Sequence, residues 1–479
     1  MSWKTAVCLF ALTLCASNPA PAEPAAAGQD LINFVDARFD QNQRIAHQIW
    51  DYAELGYLEE KSSALLKQTL ADEGFTIESG VAEIPTAFLA SYGSGQPVIA
   101  LLAEYDALPG ITQTASPVRE AIPGKAGGQA CGHHLLGTAS TSAAIAIKHW
   151  LEETGATGTI RLYGTPAEEG GSGKVYMVRA GLFADVDAVL AWHPDDANQV
   201  EAKSSLANRS AKFRFHGVSA HAAGAPEKAR SALDAVEAFD FMVNLMREHV
   251  PQETRIHYVI TSGGSTPNVV PDFAEVYYYV RHPSVETLAP IWERIEKAAQ
   301  AAADGTGTTV DWEFIHGNYP MLPNNTLGEL MQSKLEIVGG VSYDQDEQAF
   351  AEKLYPTLDS PEFSLGSEKI VLPMAHGINM GSTDVGDISW NVPTIELATA
   401  TWVPGTAAHS WQAVAAGGTD IGIKGLQVAA KTLALTAQDL YQNPHILLAA
   451  KDELKQAQGE GFTYKPLLGD RAPPLDYRK

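Results

Sequence analysis

The chain has 479 residues, of which 45% are hydrophobic and only 8% aromatic, so it is long enough to form two hydrophobic cores. Its 33 basic and 57 acidic residues give a formal net charge of -24, which would repel a phosphate backbone. The composition therefore predicts two domains and excludes nucleic acid as an expected partner.

The chain begins with a pattern typical of a secretory signal peptide. An apolar run over residues 5–16 is followed by the small-residue stretch Ala20-Pro21-Ala22. The run is too short to span a bilayer, and no later segment offers about twenty unbroken apolar residues. We predict a signal peptide over residues 1–22 and a periplasmic or secreted protein that leaves the membrane after cleavage. A lipoprotein attached through Cys15 is less favoured, because the bulky Leu14 precedes it.

Only one cysteine remains after this processing. Cys8 and Cys15 lie in the predicted signal peptide, so Cys131 has no partner for an intrachain disulfide. It is either a small buried hydrophobic residue or a metal ligand, and its neighbours must decide between the two.

The first half of the chain alternates between strand and helix patterns. Apolar residues recur at helical spacing over 31–49 and again around 65–70, where Gly74 ends the helix. We then predict, in chain order, a strand over 98–103, a helix over 134–154, a strand over 159–164, a helix over 173–180 and a strand over 188–192. This alternation indicates an α/β sheet with helices on its faces.

The pattern changes near residue 205. The alternating Lys212-Phe213-Arg214-Phe215 begins a β-α-β-β-α-β unit, whose other members are predicted over 227–249, 256–260, 274–280, 285–303 and 309–314. A sheet strand over 392–397 and a helix over 417–441 then resume the first pattern, and the tail beyond Pro444 offers none. We therefore predict a discontinuous domain over 23–204 and 321–479, split by an inserted domain over 205–320.

The first candidate site is Cys131-Gly132-His133, which opens a predicted helix after a glycine-rich loop. A helix N-terminus and a nearby cation both favour the thiolate, the form of cysteine that binds metal. By itself the pair is a weak signal, because glycine-rich helix starts also serve as simple caps.

Two adjacent carboxylates, Glu168 and Glu169, follow the predicted strand over 159–164. They repel each other unless a cation or a proton compensates, although two solvated glutamates in a turn are common. Their position favours a functional role, since open α/β folds gather ligand residues at the carboxyl ends of strands.

His193 also stands at a strand end and His409 in a later loop. Thiolate, imidazole and carboxylate together suit zinc, and they also accommodate manganese or cobalt.

The ordered motifs resemble the aminoacylase and carboxypeptidase-G type metallopeptidase family. The likeness is to the amidohydrolase branch with hippurate and auxin-conjugate hydrolases, and nearest to p-aminobenzoyl-glutamate hydrolases. The matching stretches are LAEYDALPG at 102–110, CGHHLLGTAS at 131–140, TPAEEGGSGK at 165–174, AWHP at 191–194, GVSAHAAGAPEKARSALDA at 217–235, PNVVPD at 267–272, STDVGDISW at 382–390 and PGTAAHSW at 404–411.

The resemblance implies an α/β fold, with a three-layer zinc-peptidase-like catalytic domain and an inserted ferredoxin-like α+β lid and dimerisation domain. It implies two divalent ions, zinc or manganese with cobalt as an alternative, bridged by Cys131. The remaining ligands are implied to be His133, Glu169, His193 and His409. Glu168 is implied to be the general base, which takes a proton from water and passes it to the leaving amine.

The resemblance also bears on five further residues, four through an implied role and one through a departure from the family motif. His221 is implied to reach across a homodimer, paired through the inserted domain, and to stabilise the oxyanion. Asn268 and Arg281 are candidates for binding the substrate carboxylate, and Asp106 for orienting a ligand imidazole. His134 departs from the family, in which Asp or Asn usually follows Cys-Gly-His, and this departure leaves the local hydrogen bonding open.

The expected function is hydrolysis of the amide bond of small N-acyl or N-aroyl amino acids such as p-aminobenzoyl-glutamate, giving a carboxylic acid and a free amino acid. A dipeptidase or aminopeptidase on the same scaffold is an alternative within hydrolases. A chain active only beside a paralogous subunit is another. A non-catalytic binding protein is disfavoured, because all five expected ligands and the expected base are present.

Overall fold

The computed structural model describes residues 28–478. The predicted signal peptide, with Cys8 and Cys15, lies outside these residues. Among the helices over 28–478, none is long and apolar enough to cross a membrane.

The described chain forms fourteen α-helices and fourteen strands, numbered in chain order. The helices are α1 Gln29–Ala37, α2 Phe39–Tyr52, α3 Glu60–Asp72, α4 His133–Thr154, α5 Glu168–Gly171, α6 Gly173–Arg179, α7 Ala232–Met246, α8 Val285–Thr306, α9 Asn325–Val338, α10 Gln345–Leu354, α11 Val385–Ser389, α12 Trp411–Gly417, α13 Asp420–Gln442 and α14 Pro444–Gln458. The strands are β1 Thr76–Ser79, β2 Phe88–Ser94, β3 Val98–Ala103, β4 Leu108–Pro109, β5 Gly127–Gly128, β6 Gly158–Gly164, β7 Ala188–Asp195, β8 Gln199–Ser204, β9 Ala207–His216, β10 Arg255–Ser262, β11 Phe273–His282, β12 Thr309–Asn318, β13 Ala375–Ile378 and β14 Thr394–Ala400.

The larger sheet has eight strands in the order β1-β2-β6-β3-β7-β14-β8-β13. Its centre, β6-β3-β7-β14, is parallel throughout, so these four strands end at the same edge. The central strand β3 reads Val-Ile-Ala-Leu-Leu-Ala and is buried along its whole length, as expected for a strand covered on both faces.

Helices cover both faces of this sheet. The largest apolar core lies on one face, beneath helices that include α1, α2, α4, α9 and α13. A smaller core, with residues of α6 and α11, lies on the other. The predicted three-layer α/β arrangement is therefore confirmed.

The second sheet has four strands in the order β10-β11-β9-β12, with antiparallel neighbours. Its helices α7 and α8 close a separate core with the sheet. The predicted ferredoxin-like β-α-β-β-α-β unit is confirmed. The domain boundaries at 204/205 and 320/321 stay a prediction, with β9 beginning at Ala207 and β12 ending at Asn318.

Several predicted helix limits were wrong. The helix predicted over 227–249 is the shorter α7, because Ser231 caps its start by accepting a hydrogen bond from the Asp234 backbone at 3.1 Å. The helix predicted over 417–441 begins only at Asp420, after the separate helix α12. The apolar pattern over 31–49 is two helices that meet at Arg38. The tail beyond Pro444, which offered no pattern, begins with α14.

Candidate metal centre

The expected site residues gather at the carboxyl edge of the four parallel strands. Asp106 follows β3, Glu168 and Glu169 follow β6, His193 lies near the end of β7, and His409 lies in the loop after β14. The sheet order explains how positions spread over three hundred residues meet, since parallel neighbours all present their carboxyl ends to one place.

Cys131 and His133 reach this edge from the start of α4. Gly132, the residue before the helix, has φ 78°, and a Cβ there would lie 2.7 Å from Pro194 Cβ. Glycine is therefore required both by the left-handed backbone and by the close approach to β7. This turn places the Cys131 thiol 3.4 Å from His193 Nε2.

Two groups of three candidate ligand atoms share one residue. Cys131 lies with His133 and His193 in one group and with Glu169 and His409 in the other. Within each group the ligand atoms lie within 4.8 Å of one another, which is the separation expected around a single ion. Because Cys131 belongs to both groups, its sulfur stands where a bridging ligand would stand.

A third group of the same kind contains the expected base. It joins Glu168 to His133 and Glu169, again with ligand atoms within 4.8 Å of one another. Glu168 therefore lies within reach of both Cys131 groups, since it shares His133 with one and Glu169 with the other.

Hydrogen bonds fix the orientation of the imidazoles. His133 Nδ1 lies 3.0 Å from Asp106 Oδ1, and His193 Nδ1 lies 2.7 Å from the Pro194 carbonyl. A proton on each Nδ1, donated to these acceptors, leaves the Nε2 lone pairs facing the site. The other oxygen of Asp106 accepts a hydrogen bond of 3.0 Å from the Glu169 backbone, so this carboxylate positions members of both Cys131 groups.

The backbone around the site departs from ordinary geometry. Ala167 and His409 both adopt positive φ, at 59°, although neither is glycine. Such conformations cost of order 1–3 kcal/mol each and persist where the surrounding structure holds them in place. The turn at Ala167 directs the Glu168 and Glu169 side chains towards the strand ends, and His409 Nε2 comes within 3.2 Å of Glu169 Oε1.

Electrostatics at the site favour bound cations. Burial raises the pKa of the Cys131 thiol, and burial together with the Glu104 carboxylate raises the pKa of Glu168. His133 Nε2 and Glu169 Oε1 are buried and lie 3.1 Å from Glu104 Oε2 and 3.2 Å from His409 Nε2, but neither contact has the geometry of a hydrogen bond. Divalent ions would give these atoms partners and would favour the thiolate. The donor set of one thiol, three imidazoles and a carboxylate therefore fits two metal ions.

His134 points away from this cluster. It is fully buried, its Nε2 lies 2.9 Å from the Gly417 carbonyl, and burial lowers its pKa to about 3. Neutral His134 therefore donates a hydrogen bond that ties α4 to the end of α12. It is not a member of any of the three ligand groups, so the departure from the family motif leaves the candidate ligands unchanged.

Sequence reasoning missed a buried ion network beside the base. Lys174 Nζ lies 2.7 Å from Glu104 Oε1 and 2.6 Å from Asp384 Oδ1, and the Lys174 and Asp384 side chains are fully buried. The available signal in the sequence was Glu104, which directly follows the apolar strand β3. A carboxylate buried at that position needs a cation as its partner. The network sets the charge around Glu168, whose pKa responds to Glu104, Asp384 and Lys174.

Two adjoining cavities open from the cluster. A smaller one of about 330 Å³ is lined by Cys131 and His193, and Glu168, Glu169 and His409 line it as well. A larger one of about 940 Å³ shares those last three residues and extends along the inserted sheet to Arg281. Arg281 thus lines the same cavity as three residues of the cluster, and its role in binding substrate stays a prediction.

The structure does not bring His221 and Asn268 to the cluster within one chain. Both residues lie on loops of the inserted domain, and the backbone N–H of Ala222 donates to the Asn268 carbonyl. His221 and Asn268 are not among the residues that line the two cavities. His221 Nδ1 accepts hydrogen bonds from the Ala223 and Gly224 backbones at 3.2 and 3.1 Å. Its Nε2 therefore carries the proton of the neutral ring and is available as a donor.

Comparison with known proteins agrees with this geometry. Residues 207–307 match the peptidase dimerisation domain of M20 proteins. Over 460 residues the chain is 41% identical to a p-aminobenzoyl-glutamate hydrolase subunit of Escherichia coli strain K12, covering 89% of this chain and 95% of that protein. The chain belongs to the M20 family of metallopeptidases. The expected family and the expected hydrolase class are confirmed.

Two other matches extend the comparison. The Xaa-Arg dipeptidase of Mus musculus is 29% identical over 436 residues, covering 88% of this chain and 90% of its own. The structure of a dinuclear metal-binding M20 peptidase from Bacillus subtilis aligns with a TM-score of 0.56 and 17% identity. That alignment covers 85% of this chain and 99% of the other, and it shows the shared fold.

Proposed function

We propose that this M20 hydrolase is a dinuclear amidohydrolase that cleaves N-acyl or N-aroyl amino acids to a carboxylic acid and a free amino acid. One observation carries the proposal. Cys131 is shared by two groups of candidate metal ligands, and beside them lies Glu168, whose carboxylate makes no hydrogen bond to another residue in the described chain. The 41% identical relative is named for p-aminobenzoyl-glutamate, which makes this compound the first substrate to test.

The residues that would hold the two metals follow from the groups. His133 and His193 would hold one ion, Glu169 and His409 the other, and Cys131 both. Two divalent ions, when bound, lower the pKa of water and polarise the amide carbonyl. Zinc and manganese both suit this donor set, with cobalt as a further candidate.

Glu168 and Arg281 supply the remaining chemistry within the chain. Glu168 takes a proton from the attacking water and returns it to the amide nitrogen as the C–N bond breaks. The side chain of Arg281 makes no hydrogen bond in the described chain, and its guanidinium lies 5.5 Å from the centre of the Tyr279 ring. It therefore offers an unpaired two-pronged donor to the carboxylate of the substrate.

A dipeptidase is the alternative function, and the 29% identical relative from mouse carries that name. The two functions are separated by a panel that pairs each N-acyl or N-aroyl amino acid with the dipeptide that ends in the same residue. We expect release of the free amino acid from the blocked substrates, p-aminobenzoyl-glutamate included. Cleavage confined to substrates with a free amino terminus would establish the dipeptidase instead.

A homodimer through the inserted domain is part of the proposal. Helix α7 exposes Phe241 and Leu245, and the neighbouring edge strand β10 exposes Tyr258, Val259 and Ile260. An unpaired edge strand beside exposed apolar side chains is typical of a surface that pairs with another chain. The dimerisation-domain match covers both elements.

His221 is proposed to act on the site of the partner subunit. We expect His221→Ala to lower activity about 10²- to 10³-fold, because it removes a donor for the oxyanion. This variant can be mixed in equal amount with Glu168→Gln and the subunits allowed to exchange. About half of the dimers would then be mixed, and each mixed dimer would hold one intact site of its two, so activity should recover to about a quarter of wild type. Lack of any recovery in confirmed mixed dimers would show that His221 does not act across the interface.

Two further parts of the proposal concern a second subunit and the location of the protein. The name of the 41% identical relative includes the word subunit, so a paralogous partner is a second candidate for the exposed surface. Co-expression with such a partner would raise the activity of the chain if the partner is required.

We also propose export to the periplasm or medium, on the evidence of the N-terminal pattern alone. Recovery of the uncleaved chain from the cytosol would contradict it.

A further inference from the structure

The C-terminal segment over 462–478 forms part of the wall of the larger cavity. After α14 it returns across the molecule, and Arg471, Tyr477 and Arg478 all line that cavity together with Arg281. No sequence pattern predicted this position, and the roles proposed above do not use the segment.

The segment is held at several points along its length. The Tyr464 hydroxyl donates to Asp387 at 2.6 Å, Leu468 is 1% exposed, and Arg179 donates to the Gly469 carbonyl at 3.0 Å. Arg471 donates to Glu313 of the inserted sheet at 2.8 Å. These anchors on both domains fix where the following residues stand.

Tyr477 and Arg478 end this path beside the metal centre. The Tyr477 ring packs edge-on against Tyr57 at 5.6 Å, and the Arg478 guanidinium lies 4.8 Å from the centre of the Tyr477 ring. Arg478 Nη2 donates to the Glu169 carbonyl at 2.7 Å. Arg478 is therefore positioned by a carbonyl and a ring, neither of which neutralises its charge.

The cations of the cavity differ in whether they have an anionic partner. Arg471 is paired with Glu313, and Lys212 Nζ lies 3.5 Å from Glu275 Oε1. Arg281 and Arg478 have no carboxylate partner in the described chain, and the Nε atom of each is buried without a hydrogen bond. Both residues are half-buried, and a guanidinium that is partly removed from water without a counter-ion is stabilised when a ligand supplies one.

We infer that Arg478 is a specificity-determining residue, which binds the side-chain carboxylate of a dicarboxylic amino acid while Arg281 binds its α-carboxylate. This inference rests on the proposed function and narrows its substrate class to N-acyl derivatives of acidic amino acids. Two guanidinium groups without carboxylate partners line one cavity and match two carboxylates on one substrate. Arg281 offers both terminal nitrogens as a fork, and Arg478 offers chiefly Nη1, because its Nη2 is bound to the Glu169 carbonyl and its Nε is buried.

The test compares two substrates of nearly equal shape, N-benzoyl-glutamate and N-benzoyl-glutamine. We expect the wild-type chain to prefer the glutamate derivative in kcat/KM by about 10- to 100-fold, the usual effect of a hydrogen bond to a charged group. Arg478→Gln should remove this preference by raising KM for N-benzoyl-glutamate, with little effect on N-benzoyl-glutamine. Arg478→Lys should recover part of the preference. The exposed Arg119→Gln serves as the matched control.

Binding measured without turnover keeps this inference separate from the proposed function. In the Glu168→Gln background, calorimetry should show N-benzoyl-glutamate binding at least about 10-fold tighter than N-benzoyl-glutamine, and adding Arg478→Gln should equalise the two. That result supports the inference even if the wild-type chain cleaves neither compound. Equal binding of the two compounds by the parent, or an equal loss for both on changing Arg478, would overturn it and leave Arg478 as a support for the Glu169 backbone.

Discussion

Replacing Glu168 with Gln should lower kcat about 10³-fold, the usual contribution of a general acid–base residue, while both metal ions stay bound. Glutamine keeps the size of the side chain but cannot take up a proton. Glu168 is not part of either group that contains Cys131, and its carboxylate makes no hydrogen bond to another residue in the described chain, so the change should leave the rest of the site in place.

The measurement is single-substrate kinetics together with metal analysis of the same protein sample. Glu293→Gln, at an exposed position of α8, is the matched control and should behave as wild type. Glu169→Gln provides a contrast, because it should lose metal as well as activity. Retention of more than about a tenth of wild-type kcat in Glu168→Gln would show that another group moves the proton.

Replacing Cys131 with Ala should weaken binding of both ions, whereas replacing His193 or His409 should weaken binding of only one. The reason is that Cys131 belongs to two ligand groups and each of these histidines to a single group. Loss of a residue that only orients a ligand costs about 10- to 100-fold in metal affinity, so loss of the shared ligand should cost at least that much for each ion.

Metal content per chain, measured after dialysis against a fixed metal buffer, tests this pattern. Asp106→Asn is the matched variant for an orienting residue, and it should retain more metal than Cys131→Ala. Two ions retained in Cys131→Ala would show that the sulfur is not a bridging ligand. Loss of both ions in His193→Ala would show that the two groups are not independent.

The layered fold was predictable because its strands are short and strongly apolar. The run from Val98 to Ala103 has no polar residue, which identifies a strand buried on both faces, and the alternation of such runs with helical patterns predicted the α/β layers. Helix ends were predicted less well. The apolar spacing before and after α7 continues past its limits, and only the Ser231 cap and the turn at Pro226 reveal where the helix begins.

The candidate site was predictable to the extent that its residues follow strands. Glu168 and Glu169 follow β6 and His193 lies near the end of β7, and these two strands flank β3 in the parallel centre of the sheet, which brings the three residues together. The partner of Glu104 could not be predicted, because Lys174 is seventy positions away and only the fold shows that both are buried. The orientation of His134 towards Gly417 likewise depends on a contact between distant parts of the chain.

The C-terminal segment marks the limit of sequence reasoning for this protein. Tyr477 and Arg478 contact the Glu169 backbone across more than three hundred residues, and nothing in their own neighbourhood predicts a helix or a strand. Its course is set by scattered anchors such as Tyr464 and Arg471, each of which looks like an ordinary surface residue in the sequence.

The most direct test of the proposed chemistry is hydrolysis of p-aminobenzoyl-glutamate by the purified chain before and after removal of its metal. We expect release of glutamate by the metal-loaded protein, loss of that activity on chelation, and its return when zinc or manganese is restored to two ions per chain. Undiminished hydrolysis after complete removal of metal would contradict the proposal. So would a chain that holds two ions and cleaves no amide in the panel, alone or with a paralogous subunit.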